Sequence, residues 1–222
     1  MLGVQIDTSE QSLCFASPRQ SIFIKMIKAI LFDSGGVIIN HKLLVKKIIS
    51  IFKPKNKEKF WHDINIAVIP LCKNKISEEL FWKRFVMTIG KNIEQIPKNL
   101  WTEDYQKLTK INTEVINIIK SLKQKYKLGL ISNSIPFHTK INRKRDAYRI
   151  FNEVILSHEV GLTKDEKYIF LLAAKKLQVK PQECIFIDDV RDFVDVAKSV
   201  GMKGITFKNS KQLKSDLKKI IK

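Results

Sequence analysis

The side chains that could carry out chemistry in this chain fall into four groups, most of which directly follow short apolar runs. A carboxylate after a buried strand can act as a nucleophile toward phosphorus or carbon, or as a ligand of Mg2+. A lysine can neutralise negative charge, and hydroxyl or amide groups can hold the oxygens of an anion. The groups are Asp33-Ser34-Gly35-Gly36-Val37, Ser132-Asn133, Lys164, and Asp188-Asp189.

The segments around these groups alternate between apolar runs and amphipathic helical patterns. This alternation predicts the fold class α/β with a doubly wound parallel sheet. Ligands bind at the carboxyl ends of the strands in such a sheet, and three of the four groups directly follow a predicted strand. The predicted strands are 28–32, 127–132, 154–157, 184–187 and 204–207, with helices at 113–122, 167–177, 192–200 and over the last dozen residues.

The segment between the first group and about residue 112 has a wholly helical pattern. Apolar spacings of three and four predict helices at 41–52, at 59–69 (closed by Pro70), and from Ser77 to a C-cap at Gly90. We expect its aromatic residues to form the core of a small helical unit, with a role in lining the substrate site as the alternative, and they are Phe60, Trp61, Phe81, Trp82, Phe85 and Trp101. The predicted organisation is a core of residues 26–40 and 113–222 with a helical cap at 41–112.

Composition excludes several classes of protein. The chain has 222 residues, of which 44% are hydrophobic and 28% charged, as in globular domains. No apolar run approaches the roughly 20 residues that span a membrane. Three widely spaced cysteines form neither a disulfide framework nor a zinc pattern, which favours the reducing cytoplasm. Residues 1–25 lack the pattern of a signal peptide, and we expect either a disordered extension without function or a start site placed upstream of Met26.

The net charge of +19 raises the alternative of a nucleic-acid partner, because basic surfaces attract polyanions. Of the 41 basic residues, however, 35 are lysine, whereas specific recognition depends largely on arginine. We therefore interpret the charge mainly as compositional. Binding of nucleic acid or of a phosphorylated partner stays open.

In order and spacing, the four groups resemble the motifs of the haloacid dehalogenase superfamily of hydrolases over residues 27 to about 207. Asp33-Ser34-Gly35-Gly36-Val37 is similar to the first motif and Leu130-Ile131-Ser132-Asn133-Ser134 to the second. The segment 157–164 resembles the one that carries the lysine of the third motif, and Phe186-Ile187-Asp188-Asp189 resembles the fourth. The position of the helical insertion is similar to that in subfamily I. The resemblance implies a Rossmann-like core and a Mg2+-dependent phosphatase.

The resemblance also implies a role for each residue. Asp33 would attack phosphorus and become an aspartyl-phosphate, and Lys164 would neutralise the developing charge. Ser132, together with the backbone around Asn133, would hold a phosphoryl oxygen. The implied Mg2+ ligands are Asp33, the backbone carbonyl of Gly35, Asp188 and Asp189. The implied substrate-binding residues are Ser34, Gly35, Gly36, Asn133 and His138.

Three positions depart from the motif pattern. The second Asp of phosphatases in this family, which serves as general acid and base, is replaced by Gly35. General acid–base catalysis typically contributes about 10²- to 10⁴-fold in rate, so we expect slow turnover of ordinary alkyl phosphates. The prolines that usually follow the third-motif lysine are missing, which predicts a looser turn. Phe193 replaces the Asn or Asp that usually supports the fourth motif, and neighbouring Asp192 is a candidate substitute.

The leading hypothesis is a phosphatase of a small phosphorylated metabolite, acting as a monomer or homodimer. A 2-haloacid dehalogenase with Asp33 as nucleophile is a second possibility, although it would leave Asp188 and Asp189 without a metal to bind. The third is a catalytically weak, basic binding protein.

Overall fold

The structure is a computed structural model that describes residues 26–96 and 100–221. The expectation for residues 1–25 therefore lies outside the described residues. The strands fall into a five-stranded sheet and a two-stranded pair. In chain order they are β1 (Ala29–Phe32), β2 (Ile39–Asn40), β3 (Lys110–Ile111), β4 (Lys127–Ser132), β5 (Glu153–Leu156), β6 (Cys184–Asp188) and β7 (Lys203–Thr206).

The main sheet is wholly parallel, in the order β5-β4-β1-β6-β7. Its central strand β1 is completely buried, as expected for a strand with helices on both faces. Ile30 and Phe32 belong to one apolar cluster, while Ala29 and Leu31 belong to a second one on the other face. This arrangement confirms the predicted α/β fold with a doubly wound parallel sheet.

The helices divide between the two faces of the sheet and the segment that joins β2 to β3. They are α1 (Lys42–Phe52), α2 (Lys57–Ala67), α3 (Ile69–Cys72), α4 (Glu78–Thr88), α5 (Glu103–Leu108), α6 (Thr113–Leu122), α7 (Pro136–Lys144), α8 (Ser157–Val160), α9 (Lys167–Lys176), α10 (Arg191–Ser199) and α11 (Ser210–Ile220). Helices α6 and α11 contribute to the first apolar cluster, and α9 and α10 to the second. No helix within these described residues is long and apolar enough to cross a membrane.

The segment that contains helices α1 to α5 is joined to the core at both of its ends in one place. The antiparallel pair of β2 and β3 aligns Ile39 with Ile111, which brings the two ends of the helical segment together. Asn112 fixes this junction, because its side chain caps α6 and also donates to the Val37 carbonyl oxygen at 3.2 Å. We call residues 41–112 the cap, and their division from the core at these boundaries stays a prediction.

The aromatic residues of the cap pack on one another. Phe85 lies 5.9 Å from Phe52 and 5.6 Å from Phe60 between ring centroids, and all three are at least 95% buried. Trp61 and Trp101 are only half-buried, so they combine packing with an accessible surface. Pro70 does not close the second helix, as its position had indicated. It lies in the first turn of α3, where the missing N–H has no helical partner to lose.

Candidate active site

Three carboxylates meet at the carboxyl ends of the two central strands. Because β1 and β6 pair with Phe32 opposite Ile187, the residues that follow, Asp33 and Asp188, are neighbours. Oxygen atoms of Asp33, Asp188 and Asp189 all lie within 4.8 Å of one another. Asp33 and Asp188 are almost completely buried, whereas Asp189 reaches solvent. Such a cluster of carboxylates is unstable without cations beside it.

Lys164 supplies one of those cations. Its Nζ lies 2.6 Å from Oδ1 of Asp33 and 2.6 Å from Oδ2 of Asp188. Burial alone would lower the pKa of Lys164, but the Asp188 and Asp33 carboxylates outweigh burial and raise the pKa above its usual range. The ammonium group is therefore charged at neutral pH, and it holds both carboxylates in place.

Three carboxylates and one ammonium group leave two negative charges uncompensated. Burial raises the pKa of Asp33 to about 6 and that of Asp188 to about 7, against the opposing effect of Lys164. The pKa of Asp189 is raised by loss of solvent around its carboxyl group, although the residue as a whole is exposed, and by the charge of Asp188. An all-oxygen donor set with excess negative charge fits a hard divalent cation such as Mg2+.

Gly36 makes room for this cluster. Its φ of +87° is in the left-handed region, and a Cβ at this position would lie 2.1 Å from Oδ2 of Asp189. A side chain here would collide with that carboxylate and strain the backbone. The second glycine of the first motif is therefore required for the position of Asp189.

The loop that carries Lys164 is well anchored despite the missing prolines. The Glu166 carboxylate accepts hydrogen bonds from the backbone N–H and the hydroxyl group of Thr163, at 3.0 and 3.1 Å. Lys73 of the cap forms an ion pair with Glu166 at 2.5 Å. Oδ1 of Asn133 accepts from the backbone N–H of Lys164 at 2.9 Å. The expectation of a looser turn is therefore not met, since side chains replace the rigidity of proline.

The same contact bears on the role of Asn133. We expected this residue to bind substrate through its surrounding backbone, and its side-chain oxygen is used to position Lys164. Ser132, at the end of β4, is 3% exposed and lines the cavity above the carboxylates. Asp192 is exposed in the first turn of α10, whereas the Phe193 ring lies 4.7 Å from Nζ of Lys164. A cation–π contact therefore occupies the place expected for a polar support.

Ser34 takes part in a buried polar chain that the sequence did not indicate. Its Oγ is hydrogen bonded to the Tyr148 hydroxyl group at 3.2 Å. Asn142 donates through Nδ2 to the hydroxyl groups of Tyr148 and Tyr105, at 3.0 and 2.8 Å. The Asn142 side-chain oxygen is buried without a hydrogen-bond partner. These residues line the cavity, and the hydrogen bond with Tyr148 helps to hold the Ser34 side chain in place.

His138 lines the cavity and packs flat on Tyr105, with ring centroids 3.6 Å apart. Its Nε2 lies 2.7 Å from the Trp101 carbonyl oxygen, and since a carbonyl oxygen only accepts, Nε2 carries the proton. Burial lowers the pKa of His138 to about 3, so the ring is neutral. The hydrogen bond from His138 to the Trp101 backbone helps to fix the position of Trp101 in the cavity.

His41 is the residue that sequence reasoning missed beside Gly35. A Cβ at Gly35 would lie 3.5 Å from Nδ1 and 3.8 Å from Cε1 of His41. The imidazole ring therefore lies next to the space that an Asp side chain at position 35 would enter. Burial lowers the pKa of His41, so the ring is mainly neutral at pH 7. One signal was present in the sequence, since His41 is the first residue of the helical insertion.

The cavity above these groups has a volume of about 460 Å³. We call Asp33, Ser132, Lys164, Asp188 and Asp189 the catalytic floor. The cap contributes mostly apolar residues to the opposite side, with His41, Asn65 and Tyr105 as the polar exceptions. We call its main apolar members the cap wall: Leu44, Val45, Ile48, Trp61, Val68 and Trp101. The structure thus brings all the predicted motif residues to one edge of the sheet. Their roles in binding and catalysis stay predictions.

Comparison with known proteins agrees with this geometry. Curated relatives include a D-ribitol-5-phosphate phosphatase from Bacteroides thetaiotaomicron, 24% identical over 208 residues, which cover 88% of this chain and 99% of the relative. A phosphorylated carbohydrates phosphatase from Thermotoga maritima is 22% identical over 185 residues, or 81% of this chain and 84% of the relative.

Solved structures show the same likeness. A HAD family enzyme from Bacteroides thetaiotaomicron, in complex with magnesium and inorganic phosphate, matches with a TM-score of 0.57 and 25% identity. The match covers 82% of this chain and 94% of that one. A 2-haloacid dehalogenase from Pseudomonas syringae, 16% identical, covers 87% of this chain and 99% of its own, has a TM-score of 0.53 and shows the fold alone. The family model for haloacid dehalogenase-like hydrolases matches residues 27–201, and the chain therefore belongs to the haloacid dehalogenase-like hydrolases.

Proposed function

We propose that this protein is a Mg2+-dependent phosphatase that hydrolyses a small phosphate monoester through an aspartyl-phosphate on Asp33. The observation that carries the proposal is the pairing of Lys164 with both Asp33 and Asp188, with Asp189 within reach of both carboxylates. The names of the relatives, which are phosphatases of phosphorylated small molecules, support the same activity. So does the magnesium and phosphate complex of the related HAD family enzyme.

Asp33, Asp188, Asp189 and the Gly35 carbonyl group are the ligands that would hold Mg2+. When bound, the ion would neutralise the excess negative charge of the carboxylates and of the phosphate group. Asp33 attacks phosphorus in line, and the bond from phosphorus to the ester oxygen breaks. Lys164 offsets the charge on the phosphoryl oxygens, and Ser132 donates to one of them. Water then attacks the aspartyl-phosphate and releases phosphate.

We assign the proton transfer of the second step to His41. The water must lose a proton as it attacks, and a neutral imidazole ring next to Gly35 can accept it. The first step has no comparable acid at position 35, so good leaving groups should react faster than alkyl ones. We expect His41→Gln to give a burst of p-nitrophenol equal to the enzyme concentration, followed by turnover that is slower by about 10²-fold or more. A linear time course at the wild-type rate would show that His41 has no such role.

The first experiment is hydrolysis of p-nitrophenyl phosphate with and without Mg2+ by the wild type, Asp33→Asn and Gly35→Asp. The activated leaving group needs little protonation, so this substrate tests the nucleophile and the metal alone. We expect metal-dependent turnover that falls to background in Asp33→Asn. Gly35→Asp should accelerate alkyl phosphates more than p-nitrophenyl phosphate, since a Cβ at this position makes only ordinary contacts.

If neither the wild type nor Gly35→Asp releases phosphate, the proposal is wrong, and salt-dependent binding of nucleic acid becomes the next measurement. Dehalogenation is the weaker candidate, because Asp188 and Asp189 give the site a charge excess that suits a metal. Metal-independent release of chloride from 2-chloropropionate would nevertheless favour it.

A further inference from the structure

The charges around the cavity are confined to the catalytic floor. Among the described residues that line it, Asp33, Lys164 and Asp189 are the only acidic and basic ones apart from two histidines, and one of these, His138, is held neutral by burial. The overall charge of +19 thus contributes no further cation to this cavity within the described residues. A second phosphate, carboxylate or ammonium group on the substrate would be buried here without a partner, which is strongly unfavourable. The leaving group is therefore expected to be uncharged.

Several polar groups of the cavity are already hydrogen bonded, although the Asn142 side-chain oxygen has no partner. His138 donates Nε2–H to the Trp101 carbonyl oxygen, and Asn142 donates both amide hydrogens to Tyr105 and Tyr148. The Tyr148 hydroxyl group is in turn bonded to Ser34. A polyol places a hydroxyl group on nearly every carbon, and each one needs a partner once it leaves water. The cap wall offers few such partners, since the indole N–H groups of Trp61 and Trp101 are its only polar side-chain atoms, and Asn65 is a polar residue of the cap that lines the cavity beside it.

The cap wall instead presents a fixed aromatic surface. Trp101 stacks on Phe81 with ring centroids 4.8 Å apart and planes inclined by 12°, and it lies 4.7 Å from Trp82. Trp61 packs edge-on against Phe60 at 5.4 Å. Both tryptophans are half-buried and line the cavity. Rings held in this way bind flat or bulky apolar groups at little entropic cost.

We propose that the leaving group is an uncharged, apolar alcohol, so that the substrate is the phosphate monoester of an apolar aliphatic or aromatic alcohol. This inference rests on the proposed phosphatase function. It sets the chain apart from the relatives whose names specify polyol or carbohydrate phosphates. A cavity of about 460 Å³ accommodates a phosphate group and a single ring or a short branched chain.

The test compares four primary alkyl phosphates, which have similar intrinsic reactivity. The absence of a general acid at position 35 should therefore slow all four to a similar extent. Benzyl and hexyl phosphate represent apolar leaving groups, and ribitol 5-phosphate and glycerol 3-phosphate represent polar ones. We expect kcat/KM to be about 10- to 200-fold higher for the apolar pair, mainly through a lower KM. Equal or higher kcat/KM for the polyol phosphates, with p-nitrophenyl phosphate still hydrolysed through Asp33, would overturn this inference alone. Absence of Asp33-dependent turnover would overturn the proposed function as well.

Variants connect the selectivity to the cap wall. Val45→Thr combined with Val68→Thr adds two hydroxyl groups at nearly constant volume. Ile66→Thr, on the exposed face of α2 with 55% exposure, is the matched control. The ratio of kcat/KM for benzyl phosphate to that for glycerol 3-phosphate is independent of the amount of folded enzyme. We expect this ratio to fall about 10-fold in the double variant and to stay constant in Ile66→Thr. An unchanged ratio in the double variant contradicts the proposal.

Discussion

The catalytic floor and the cap wall face each other across one cavity, yet they are built in opposite ways. The floor consists of charged groups at strand ends, such as Asp33 and Asp188, held by Lys164 at 2.6 Å from each. The cap wall consists of apolar side chains on short helices and on the turns between them, supported by aromatic packing behind them. The floor has excess negative charge that a cation must balance, whereas the cap wall has no charge and disfavours charged groups.

This difference indicates a division of labour. Buried charges that are paired with one another contribute little net stability, because desolvation offsets their attraction. We therefore propose that the floor carries out the chemistry, that the packed aromatic core of the cap provides stability, and that the cap wall selects the substrate. Substitutions in the two regions should accordingly separate activity from stability.

The largest effect is expected at the centre of the floor. Lys164→Met removes the cation shared by Asp33 and Asp188, and kcat for p-nitrophenyl phosphate should fall about 10²- to 10³-fold. The uncompensated carboxylates should also lower the free energy of unfolding by about 3–5 kcal/mol at pH 8, as measured by urea denaturation. Lys167→Met, on the exposed start of α9, is the control. A kcat within a few-fold of wild type would contradict the role of Lys164.

The second prediction concerns the core of the cap. Phe85 is 1% exposed and contacts Phe52, Phe60 and Phe81, so Phe85→Ala should lower the free energy of unfolding by about 3–5 kcal/mol. Because Phe85 does not reach the floor, kcat per folded molecule should change less than about threefold. Met87→Ala on the same helix, at 71% exposure, should change stability by less than about 0.5 kcal/mol. A large loss of kcat in Phe85→Ala would mean that the two regions are coupled.

The third prediction distinguishes the cost of backbone strain from the displacement of Asp189 from the metal site. Gly36 and Gly161 have φ angles of +87° and +71°, so alanine at either should cost about 1–2 kcal/mol. Only at Gly36 would the new Cβ collide with Asp189, whereas at Gly161 it meets nothing within 4 Å. Isothermal titration calorimetry should show Mg2+ affinity reduced about 10-fold or more in Gly36→Ala and unchanged in Gly161→Ala. Equal affinities would remove Asp189 from the ligand set.

The last prediction concerns the pH dependence of metal binding. Carboxylates with a raised pKa contribute stability below the unfolded value of about 3.8, and this contribution is lost as pH rises through about 6 for Asp33 and 7 for Asp188. Mg2+ binds the deprotonated forms, so it should stabilise the protein more at pH 8 than at pH 5. At 100 times Kd the gain is about 2.7 kcal/mol, measurable as a shift in Tm. The pH dependence should weaken in Asp33→Asn, and a shift independent of pH would contradict a carboxylate metal site.

Local pattern was sufficient to predict the sheet and the position of the four motif groups. Alternating apolar runs and helices predict a parallel sheet, and polar residues after its strands meet at one edge whatever the details of packing. The family of this chain follows from the same motifs, which the match over residues 27–201 confirms. The aromatic content of the cap likewise indicated a packed core.

Contacts between residues that are distant in sequence could not be predicted from local patterns. The position of His41 at the start of the helical insertion does not by itself place its ring beside Gly35. Similarly, nothing near Lys164 in the sequence indicates that the Phe193 ring lies 4.7 Å from its ammonium group. Glu166 replaces the missing prolines through hydrogen bonds to Thr163 and an ion pair from Lys73. The chain from Ser34 through Tyr148 to Asn142 joins positions more than 100 residues apart.

The sequence by itself determined which groups can react and at which edge of the sheet they lie, because strand periodicity and the polar residues at strand ends are local properties of the chain. Only the tertiary structure decided what surrounds them: the neutral ring of His41 beside Gly35, the support of Lys164, and an uncharged, aromatic cap wall. These depend on how the cap packs over the core through the junction of β2 and β3, and packing between segments distant in sequence leaves no local pattern to read.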